Sequence, residues 1–214
     1  MKNIVLIRHG ESMGQTARSR GVNRKQDESL TDCFLSQKGI HQACALRKEI
    51  DDLHNENKFE LICVSPLTRA IATCVLGLGH LSERCEAEED EAVPFLCHPD
   101  LAESGSRIPE NRGRPIKKVV RSIEENLSFI STSYAAVDGI DFSLLPSSWP
   151  KHNGGASYFI EWLAGRPENS IAVVCHHNVI QLLLGNASER IPNCVPIQCM
   201  LVEGDFRSLH LKSI

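Results

Sequence analysis

Short apolar runs alternate along the chain with longer segments of helical periodicity. The runs at residues 4–7, 59–64 and 171–174 consist largely of branched and aromatic side chains, which is typical of strands covered on both faces. The segments from 36 to about 55 and from 115 to 131 repeat apolar residues with the helical period and predict amphipathic helices. This alternation predicts an α/β fold, a three-layer sandwich in which helices flank a mostly parallel central sheet.

The last quarter of the chain predicts one more helix and a hairpin. Residues 158–163 are apolar and aromatic at helical spacing, so we expect a helix packed on the sheet. Residues 197–202 and 208–211 predict two strands joined by a turn at the edge of the sheet. The sequence contains no internal repeat.

Three polar segments interrupt the alternation, at residues 13–34, 80–114 and 132–155. Long irregular insertions in compact domains usually carry function or are disordered, so we expect loops or a cap above a site. The first two are rich in basic side chains that could hold the anionic part of a ligand: Arg18, Arg20, Arg24, Lys25, Arg107, Arg112 and Arg114. We expect all three segments to belong to one domain over residues 1–214.

Composition narrows the class of protein. The 214 residues, 42% of them hydrophobic, suffice for the core of one domain, and a net charge of −4 argues against nucleic-acid binding. Nine cysteines without a Cys-x-x-Cys pair favour reduced, buried thiols over disulfides or a zinc site. The first apolar run is too short for a signal peptide and no run has the length of a membrane span, so we expect a cytoplasmic protein without membrane contact.

Residues that could take part in catalysis come directly after two of the predicted strands. Arg8-His9-Gly10 comes directly after the first run, and His176 follows the run that ends at Val174 and Cys175. The carboxyl ends of parallel strands meet at one edge of a sheet, so we expect the two histidines to lie close together. A neutral imidazole can attack an electrophile, and a guanidinium offers a planar fork of donors to phosphate oxygens. The histidines and the arginine at this edge of the sheet therefore predict phosphoryl chemistry.

A third strand brings another arginine to the same edge. Ser65-Pro66 follows the run at 59–64 and predicts a helix N-cap and a first-turn proline, which places Arg69 in the first turn of the helix. The start of a helix favours bound phosphate.

Several motifs, taken in order, resemble the histidine phosphatase superfamily, which is also called the phosphoglycerate mutase-like family. The resemblance covers nearly the whole chain and rests on Arg8-His9-Gly10-Glu11-Ser12, the spaced residues Asp32, Leu35, Ser36, Gly39, Gln42 and Ala43, the segments 65–70, 100–103 and 171–176, and Asn193-Cys194-Val195. It implies a phosphoglycerate mutase-like fold and an acidic residue at Glu103.

The family resemblance, combined with the charge of a phosphate monoester, implies a mechanism without metal or cofactor. His9 attacks phosphorus and forms a phosphohistidine, while Arg8, Arg69 and His176 surround the phosphoryl oxygens. Glu103 gives a proton to the leaving group and then activates water, so His9, Glu103 and His176 are the predicted catalytic residues.

Gln15 and His177 are also expected to bind phosphate, although both depart from the family pattern. Gln15 stands where many members have asparagine, and His177 replaces a glycine that often follows the second histidine.

The choice between phosphatase and mutase depends on the segment Asp100–Gly105. Phosphoglycerate mutases resemble one another in a Glu-Arg-His-Tyr-Gly segment, and this chain lacks its arginine, histidine and tyrosine. The hypothesis that follows is a metal-independent phosphomonoester hydrolase, with mutase-type phosphoryl transfer as the alternative. We expect a small phosphorylated substrate; a phosphoprotein substrate and a homodimer both stay open.

Other classes also fit part of the sequence. Cys63 and Arg69 have the spacing of tyrosine-phosphatase loops, but the segment contains no glycine and Pro66 lacks an N–H. A non-catalytic protein that binds a phosphorylated ligand is the remaining alternative. Glu11 and Glu91 are rival acids, of which Glu11 is expected to shape the turn and Glu91 to be solvated surface.

Overall fold

The chain is built around one seven-stranded mixed sheet. The computed structural model describes residues 2–23, 25–82, 91–128, 137–150, 155–185, 188, 190–203 and 209–213. The strands are β1 (Lys2–Arg8), β2 (Leu61–Val64), β3 (Phe95–Cys97), β4 (Ile140–Asp141), β5 (Ser170–Cys175), β6 (Pro196–Glu203) and β7 (Leu209–Ser213).

The strand order across the sheet is β4-β3-β2-β5-β1-β6-β7. From β4 to β1 all neighbours pair in parallel, whereas β6 is antiparallel to both β1 and β7. The predicted hairpin is confirmed in β6 and β7, and residues 204–208 between them lie outside the described part. Because β1 lies between β5 and β6, the strand that precedes His9 is paired on both sides.

Helices cover both faces of the sheet. They are α1 (Met13–Ser19), α2 (Gln37–Asn57), α3 (Thr68–Leu78), α4 (Ile116–Leu127), α5 (Ala156–Ala164) and α6 (His177–Leu183), with short 3-10 turns at Glu28–Leu30, Gly79–Ser82, Pro99–Leu101 and Pro109–Asn111. Among the described helices, none is long and apolar enough to cross a membrane.

Successive side chains of β1 enter two different apolar layers. Val5 and Ile7 pack with α2, α3 and α4, while Ile4 and Leu6 pack with α5 and α6. Each fully buried side chain of this size contributes about 1.5–3 kcal/mol to stability. Two apolar layers, one on each face of the sheet, confirm the three-layer α/β sandwich predicted from the sequence.

The helix that carries Arg69 is buried along its whole length, from Thr68 to Leu78. The prediction that Ser65 caps this helix and that Pro66 lies in its first turn is wrong, because the helix begins at Thr68 and its N-cap is Leu67, whose own side chain makes no capping hydrogen bond. The Ser65 hydroxyl instead bonds Nε2 of His176 at 2.7 Å. Arg69 nevertheless lies in the first turn, as expected.

The three polar segments hold more regular structure than the sequence predicted. Residues 13–34 begin with α1, whose N-terminus is capped by a reciprocal capping box between Ser12 and Gln15. The second segment contains β3 and the third contains β4, strands of three and two residues that are too short to produce a visible alternation. Arg24 and residues 83–90, 132–136 and 151–154 of these segments lie outside the described part.

The turn after β1 packs backbone to backbone on the start of α2. A Cβ atom on Gly39 would lie 2.0 Å from the carbonyl oxygen of Glu11, and one on Gly10 would lie 2.5 Å from the carbonyl oxygen of Gly39. Ser36 completes the contact, since its N–H donates to the Glu11 carbonyl at 2.8 Å. The absence of side chains at both glycines therefore sets how closely α2 approaches His9.

We expect Gly39→Ala to destabilise the protein by about 1–3 kcal/mol, because the new methyl group can be accommodated only by moving backbone. Urea unfolding of the variant measures the loss. Gly165→Ala is the matched control, since its nearest neighbour would be the Trp162 carbonyl oxygen at an ordinary 3.6 Å. Equal midpoints for the two variants would contradict the argument from close packing.

Candidate active site

Three parallel strands end beside one another and bring the predicted residues together. The sheet ladder continues past the strands, with the His9 N–H donating to the Cys175 carbonyl and the Ser65 N–H to the Val174 carbonyl, each at 3.0 Å. The rings of His9 and His176 follow, with centroids 5.0 Å apart. The expected meeting of the two histidines is thus present.

His9 is held as one tautomer. Its Nδ1 lies 2.7 Å from the carbonyl oxygen of Gly10, which can only accept, so Nδ1 carries the proton and Nε2 carries the lone pair. Burial, together with the charges of Arg69 and Arg8, keeps the pKa of His9 well below its usual range. The ring is therefore neutral, with the nucleophilic nitrogen fixed in direction.

Arg69 contacts that nitrogen directly. Its Nε donates to Nε2 of His9 at 3.2 Å, while its two terminal nitrogens donate to the Glu110 carbonyl and, at 3.1 Å, to Oδ1 of Asn111. The guanidinium is 3% exposed. A buried charge is thus held by neutral acceptors, and none of these bonds removes its positive charge from the site.

Arg8 lies next to His9 and keeps part of its hydrogen-bonding capacity. One terminal nitrogen donates to the Ile191 carbonyl at 2.6 Å, and the buried Nε has no hydrogen-bond partner in the described part of the chain. Burial lowers the pKa of Arg8, with a further contribution from Arg69 and Arg190, but an arginine remains protonated. Its guanidinium therefore retains a free donor beside the nucleophile.

His176 lies fully buried beside His9 and is not among the residues that line the cavity. Its Nε2 bonds Ser65, and its Nδ1 has no partner among the residues described. Burial and the charge of Arg69 hold the pKa of His176 well below the usual range, so this second imidazole is also neutral.

Glu103 lines the same cavity, in the loop after the 3-10 turn at Pro99–Leu101. Its carboxylate accepts from the backbone N–H groups of Ser104 at 2.9 Å and Asn178 at 3.4 Å. Burial raises the pKa of Glu103, and the charge of Arg69 offsets this only in part. Glu103 therefore keeps its proton to a higher pH than an ordinary glutamic acid.

Two amides connect α1 to the carbonyl of His9. Asn193 donates to that carbonyl at 2.6 Å and accepts from Nε2 of Gln15 at 3.3 Å. Gln15 also accepts from the Ser12 N–H, so much of its amide is used within the protein. The sequence singles out Asn193 only through the family resemblance. No local sequence pattern predicts its hydrogen bond to the His9 backbone.

The predicted residues Gln15 and His177 both lie in the cavity wall. His177 begins α6, and burial together with the charge of Arg8 lowers its pKa. The cavity has a volume of about 840 Å³ and a strongly polar wall. Its basic side chains are Arg8, Arg18, Lys38, Arg69 and Arg190.

Comparison with known proteins agrees with this arrangement. Residues 4–95 match the sequence profile described as the histidine phosphatase superfamily (branch 1). Over this segment, which contains Arg8, His9 and Arg69, the chain resembles the histidine phosphatase superfamily. It is 25% identical over 208 residues to a phosphoglycerate mutase-like protein of Arabidopsis thaliana, an alignment that spans 86% of this chain and 74% of that protein.

Solved structures support the fold. The α-ribazole phosphatase of Shigella flexneri superposes with a TM-score of 0.55 at 21% identity, over 99% of this chain and 95% of that one. A mutant phosphoserine phosphatase of Entamoeba histolytica in complex with phosphoserine gives 0.52 at 20% identity, over 100% and 96%. At these identities the likeness establishes the phosphoglycerate mutase-like fold of this chain and nothing beyond the fold.

The rival nucleophile and the rival acids predicted from the sequence lie in different surroundings. Cys63 and Cys175 are both fully buried, and burial raises the pKa of each thiol above its ordinary value. Burial opposes ionisation of Glu11, but hydrogen bonds from Lys38, Ser36 and Thr16 outweigh it and lower the pKa of Glu11. Glu91 is exposed, as expected.

Neither a disulfide nor a metal-binding cluster is present in the described part of the chain. The eight cysteines it contains are free, and Cys44 is the exposed one; Cys85 lies outside it. No three His, Cys, Asp or Glu side chains among the described residues form a possible metal site.

Asp32 fixes the first turn of α3, where Arg69 lies. Fully buried, its carboxylate accepts from the N–H and hydroxyl of Thr68 at 2.8 and 2.7 Å, and from Nε of Arg114 at 3.2 Å. Burial raises the pKa of Asp32, while the Thr68 bonds and nearby arginines limit the rise. This carboxylate supplies the N-terminal acceptor that the helix lacks from its own N-cap.

We expect Asp32→Asn to destabilise the protein by about 2–4 kcal/mol, because an amide cannot accept from Thr68 twice and leaves Arg114 without its anion. Denaturant unfolding measures the loss. Arg112→Gln, which removes a surface ion pair with Glu28 at 2.7 Å, is the control and should leave the midpoint unchanged. A midpoint for Asp32→Asn equal to that of Arg112→Gln would overturn the assignment.

Proposed function

We propose that this protein is a metal-independent phosphomonoester hydrolase that acts through a phosphohistidine on His9. The observation that carries the proposal is the state of His9: a buried, neutral imidazole whose Nδ1 is tied to a carbonyl and whose Nε2 faces the guanidinium of Arg69. A nucleophile of this kind next to two arginines suits a phosphoryl group better than other electrophiles.

Phosphate binding would begin with the two arginines. A phosphate monoester carries close to two negative charges, which repel a nucleophile until fixed donors surround them. Arg8 has a free Nε, and Arg69 can transfer its Nε bond from His9 to a phosphoryl oxygen, which releases the lone pair of the ring. Nδ1 of His176 offers a further buried hydrogen bond, and Gln15 and His177 line the outer wall.

The chemical steps then follow from which group gives and which group takes each proton. Nε2 of His9 bonds to phosphorus as the bond between phosphorus and the leaving oxygen breaks, and Glu103 gives that oxygen its proton. In the second step Glu103 takes a proton from water, the water oxygen bonds to phosphorus, and the bond to Nε2 breaks. The arginines supply the positive charge that a metal ion supplies in other phosphoryl-transfer enzymes.

Hydrolysis is favoured over mutase transfer by the segment around Glu103. The sequence Asp100–Gly105 lacks the basic and tyrosine side chains of the mutase motif, so nothing there would retain an intermediate for a second phosphorylation. The fold neighbours include phosphatases of small substrates, α-ribazole phosphate and phosphoserine by their names. We propose a small phosphorylated substrate and one cytoplasmic domain over residues 1–214.

We expect His9→Ala to lower the hydrolysis of p-nitrophenyl phosphate by at least about 10³-fold, since it removes the nucleophile. Cys63→Ala is the matched comparison for the thiol alternative and should retain activity, because the thiol is buried in β2. Rapid quench with ³²P-labelled substrate should trap an acid-labile, base-stable phosphoenzyme in the wild type and in Cys63→Ala but not in His9→Ala. Loss of activity in Cys63→Ala with an active His9→Ala protein would replace the histidine mechanism by the thiol one.

We expect the loss of activity in Glu103→Gln to depend on the leaving group of the substrate. The loss should be about 10²–10⁴-fold for glycerol 3-phosphate, whose alkoxide needs a proton, and less than about tenfold for p-nitrophenyl phosphate. Equal losses for the two substrates would contradict a general acid. Release of inorganic phosphate from 3-phosphoglycerate, compared with the appearance of 2-phosphoglycerate, separates hydrolase from mutase.

The pH profile gives an independent check on the same carboxyl. A general acid must be protonated, so kcat/KM should decline as pH rises through the raised pKa of Glu103. His9 must be neutral, so kcat/KM should decline as pH falls through its pKa, which lies well below the usual histidine range. With glycerol 3-phosphate, Glu103→Gln should lose the alkaline decline and keep the acid one. An unchanged alkaline decline would assign the proton to another group.

A further inference from the structure

The side chain of Asn111 joins the arginine beside the nucleophile to the loop that carries the acid. Its Oδ1 accepts from a terminal nitrogen of Arg69 at 3.1 Å, and its Nδ2 donates to the backbone carbonyl of Ser104 at 2.6 Å. Glu103 directly precedes Ser104, and both line the same cavity as Asn111. One amide therefore contacts the side of the site that holds the nucleophile and the side that holds the acid.

The two partners fix the orientation of this amide. A guanidinium can only donate and a backbone carbonyl can only accept, so the oxygen of Asn111 must face Arg69 and its nitrogen must face Ser104. An aspartate of the same shape would keep the acceptor and lose the donor, and a leucine would lose both. The two halves of the amide thus have separate roles.

The backbone that carries Asn111 is fixed to the surroundings of Arg69. Asn111 ends the 3-10 turn at Pro109–Asn111, and the carbonyl of Pro109 accepts from the N–H of Asp32 at 3.2 Å. The carbonyl of Glu110, in the same turn, accepts from Arg69. Because Asp32 also fixes the first turn of α3, the turn and the guanidinium keep one relative position.

The loop that follows the acid lies at the surface. Residues 104–107 are exposed, and the chain turns at Gly105, whose φ of +86° lies in the left-handed region that favours glycine. The N–H of Ile108 donates to the Gly105 carbonyl at 2.9 Å, which closes the loop on itself. The amide of Asn111 ties the first residue of this loop, Ser104, to the fixed turn.

A continuous series of hydrogen bonds consequently connects the nucleophile to the acid. Nε of Arg69 bonds Nε2 of His9 at 3.2 Å, the amide of Asn111 follows, and the N–H of Ser104 donates to Oε1 of Glu103 at 2.9 Å. A general acid must lie within about 2.6–3.2 Å of the oxygen that it protonates. A misplacement of about 1 Å in an active site can cost about 10² in rate.

We propose that Asn111 is a positioning residue, which holds Glu103 in place relative to Arg69 and His9. The proposal rests on the hydrolase function proposed above, in which Glu103 is the proton donor. Asn111 acts on the reaction through the residues that it bonds, the Ser104 backbone and the Arg69 guanidinium. Loss of its amide should therefore impair proton transfer to the leaving group more than binding of the phosphoryl group.

The test compares how Asn111→Leu changes kcat/KM for two substrates. The alkoxide that leaves glycerol 3-phosphate needs a proton and the nitrophenolate that leaves p-nitrophenyl phosphate does not, so a misplaced acid slows mainly the first reaction. Asn111→Leu should lower kcat/KM for glycerol 3-phosphate about ten- to a hundredfold more than for p-nitrophenyl phosphate. A disturbed Arg69 alone would affect both substrates equally, and equal losses would overturn the proposal.

A double-mutant cycle checks that the effect passes through Glu103. With Glu103→Gln already present, adding Asn111→Leu should lower kcat/KM for the two substrates by the same factor. A selective loss for glycerol 3-phosphate that persists without the acid would contradict the proposal. Asn111→Asp is a second variant, in case the leucine protein does not fold. It keeps the acceptor for Arg69 and loses the donor to Ser104, so the selective loss should appear here too; its absence would show that this donor does not place the acid.

Arg112→Gln is the matched control. Arg112 directly follows Asn111 and donates from Nε to the carbonyl of Ser106, in the same loop, at 3.5 Å, while its terminal nitrogens bond Glu28. The change removes a side-chain contact to the loop without touching a bond of Arg69, and should alter neither kcat/KM by more than about twofold. A selective loss as large as that of Asn111→Leu would mean that any loosening of the loop suffices, and the specific role of Asn111 would be refuted.

The pKa of Glu103 provides a measurement that needs no turnover. Burial raises this pKa and outweighs the opposing charge of Arg69, so a carboxyl released toward solvent in Asn111→Leu should have a lower pKa than in the wild type. The alkaline decline of kcat/KM for glycerol 3-phosphate should move to lower pH with it. ¹³C NMR of protein labelled at the glutamate carboxyl carbons measures the titration, and the signal absent from Glu103→Gln is that of Glu103.

The two proposals can fail separately. A lowered pKa of Glu103 in Asn111→Leu, with no change in Arg112→Gln, supports the positioning role even if the wild type hydrolyses neither substrate. Hydrolysis that depends on His9, combined with an unchanged pKa of Glu103 and equal losses for the two substrates, overturns the positioning role and leaves the hydrolase function intact.

Discussion

The hydrogen bond from Nε of Arg69 to Nε2 of His9 joins the two halves of the site. It requires a buried guanidinium, and the surroundings of Arg69 are arranged to keep one there. Asp32 fixes the turn that carries it, and the Glu110 carbonyl and Asn111 satisfy its donors without neutralising it. Burial and the same charge together keep His9 unprotonated, and the charge also opposes the rise that burial causes in the pKa of Glu103, so nucleophile and acid both respond to Arg69.

The sequence predicted those parts of the structure that follow from local pattern. Apolar runs located β1, β2 and β5, and strand parallelism then placed His9 beside His176. A helical period located α2 and α4, and Ser12 with Gln15 contained a capping-box signal that could have predicted α1.

The partners of the site residues were not predictable in the same way. The acceptors of Arg69 come from the 3-10 turn at Pro109–Asn111, and Arg190 enters the cavity from the loop that precedes β6. Loop paths depend on tertiary packing, and one sequence carries no signal for them. Ser65 shows the same limit, since its pattern predicted a helix cap and the packed sheet gives its hydroxyl to His176 instead.

The position of β1 in the sheet has a consequence for how the protein is made. Of the described strands, the one that carries the nucleophile is synthesised first, yet both of its neighbours, β5 and β6, follow α5 in the sequence. A nascent chain that has emerged only as far as α4 has neither partner for β1 and neither His176 nor Asn193 beside His9. The surroundings of His9 are therefore completed only after both β5 and β6 have been synthesised.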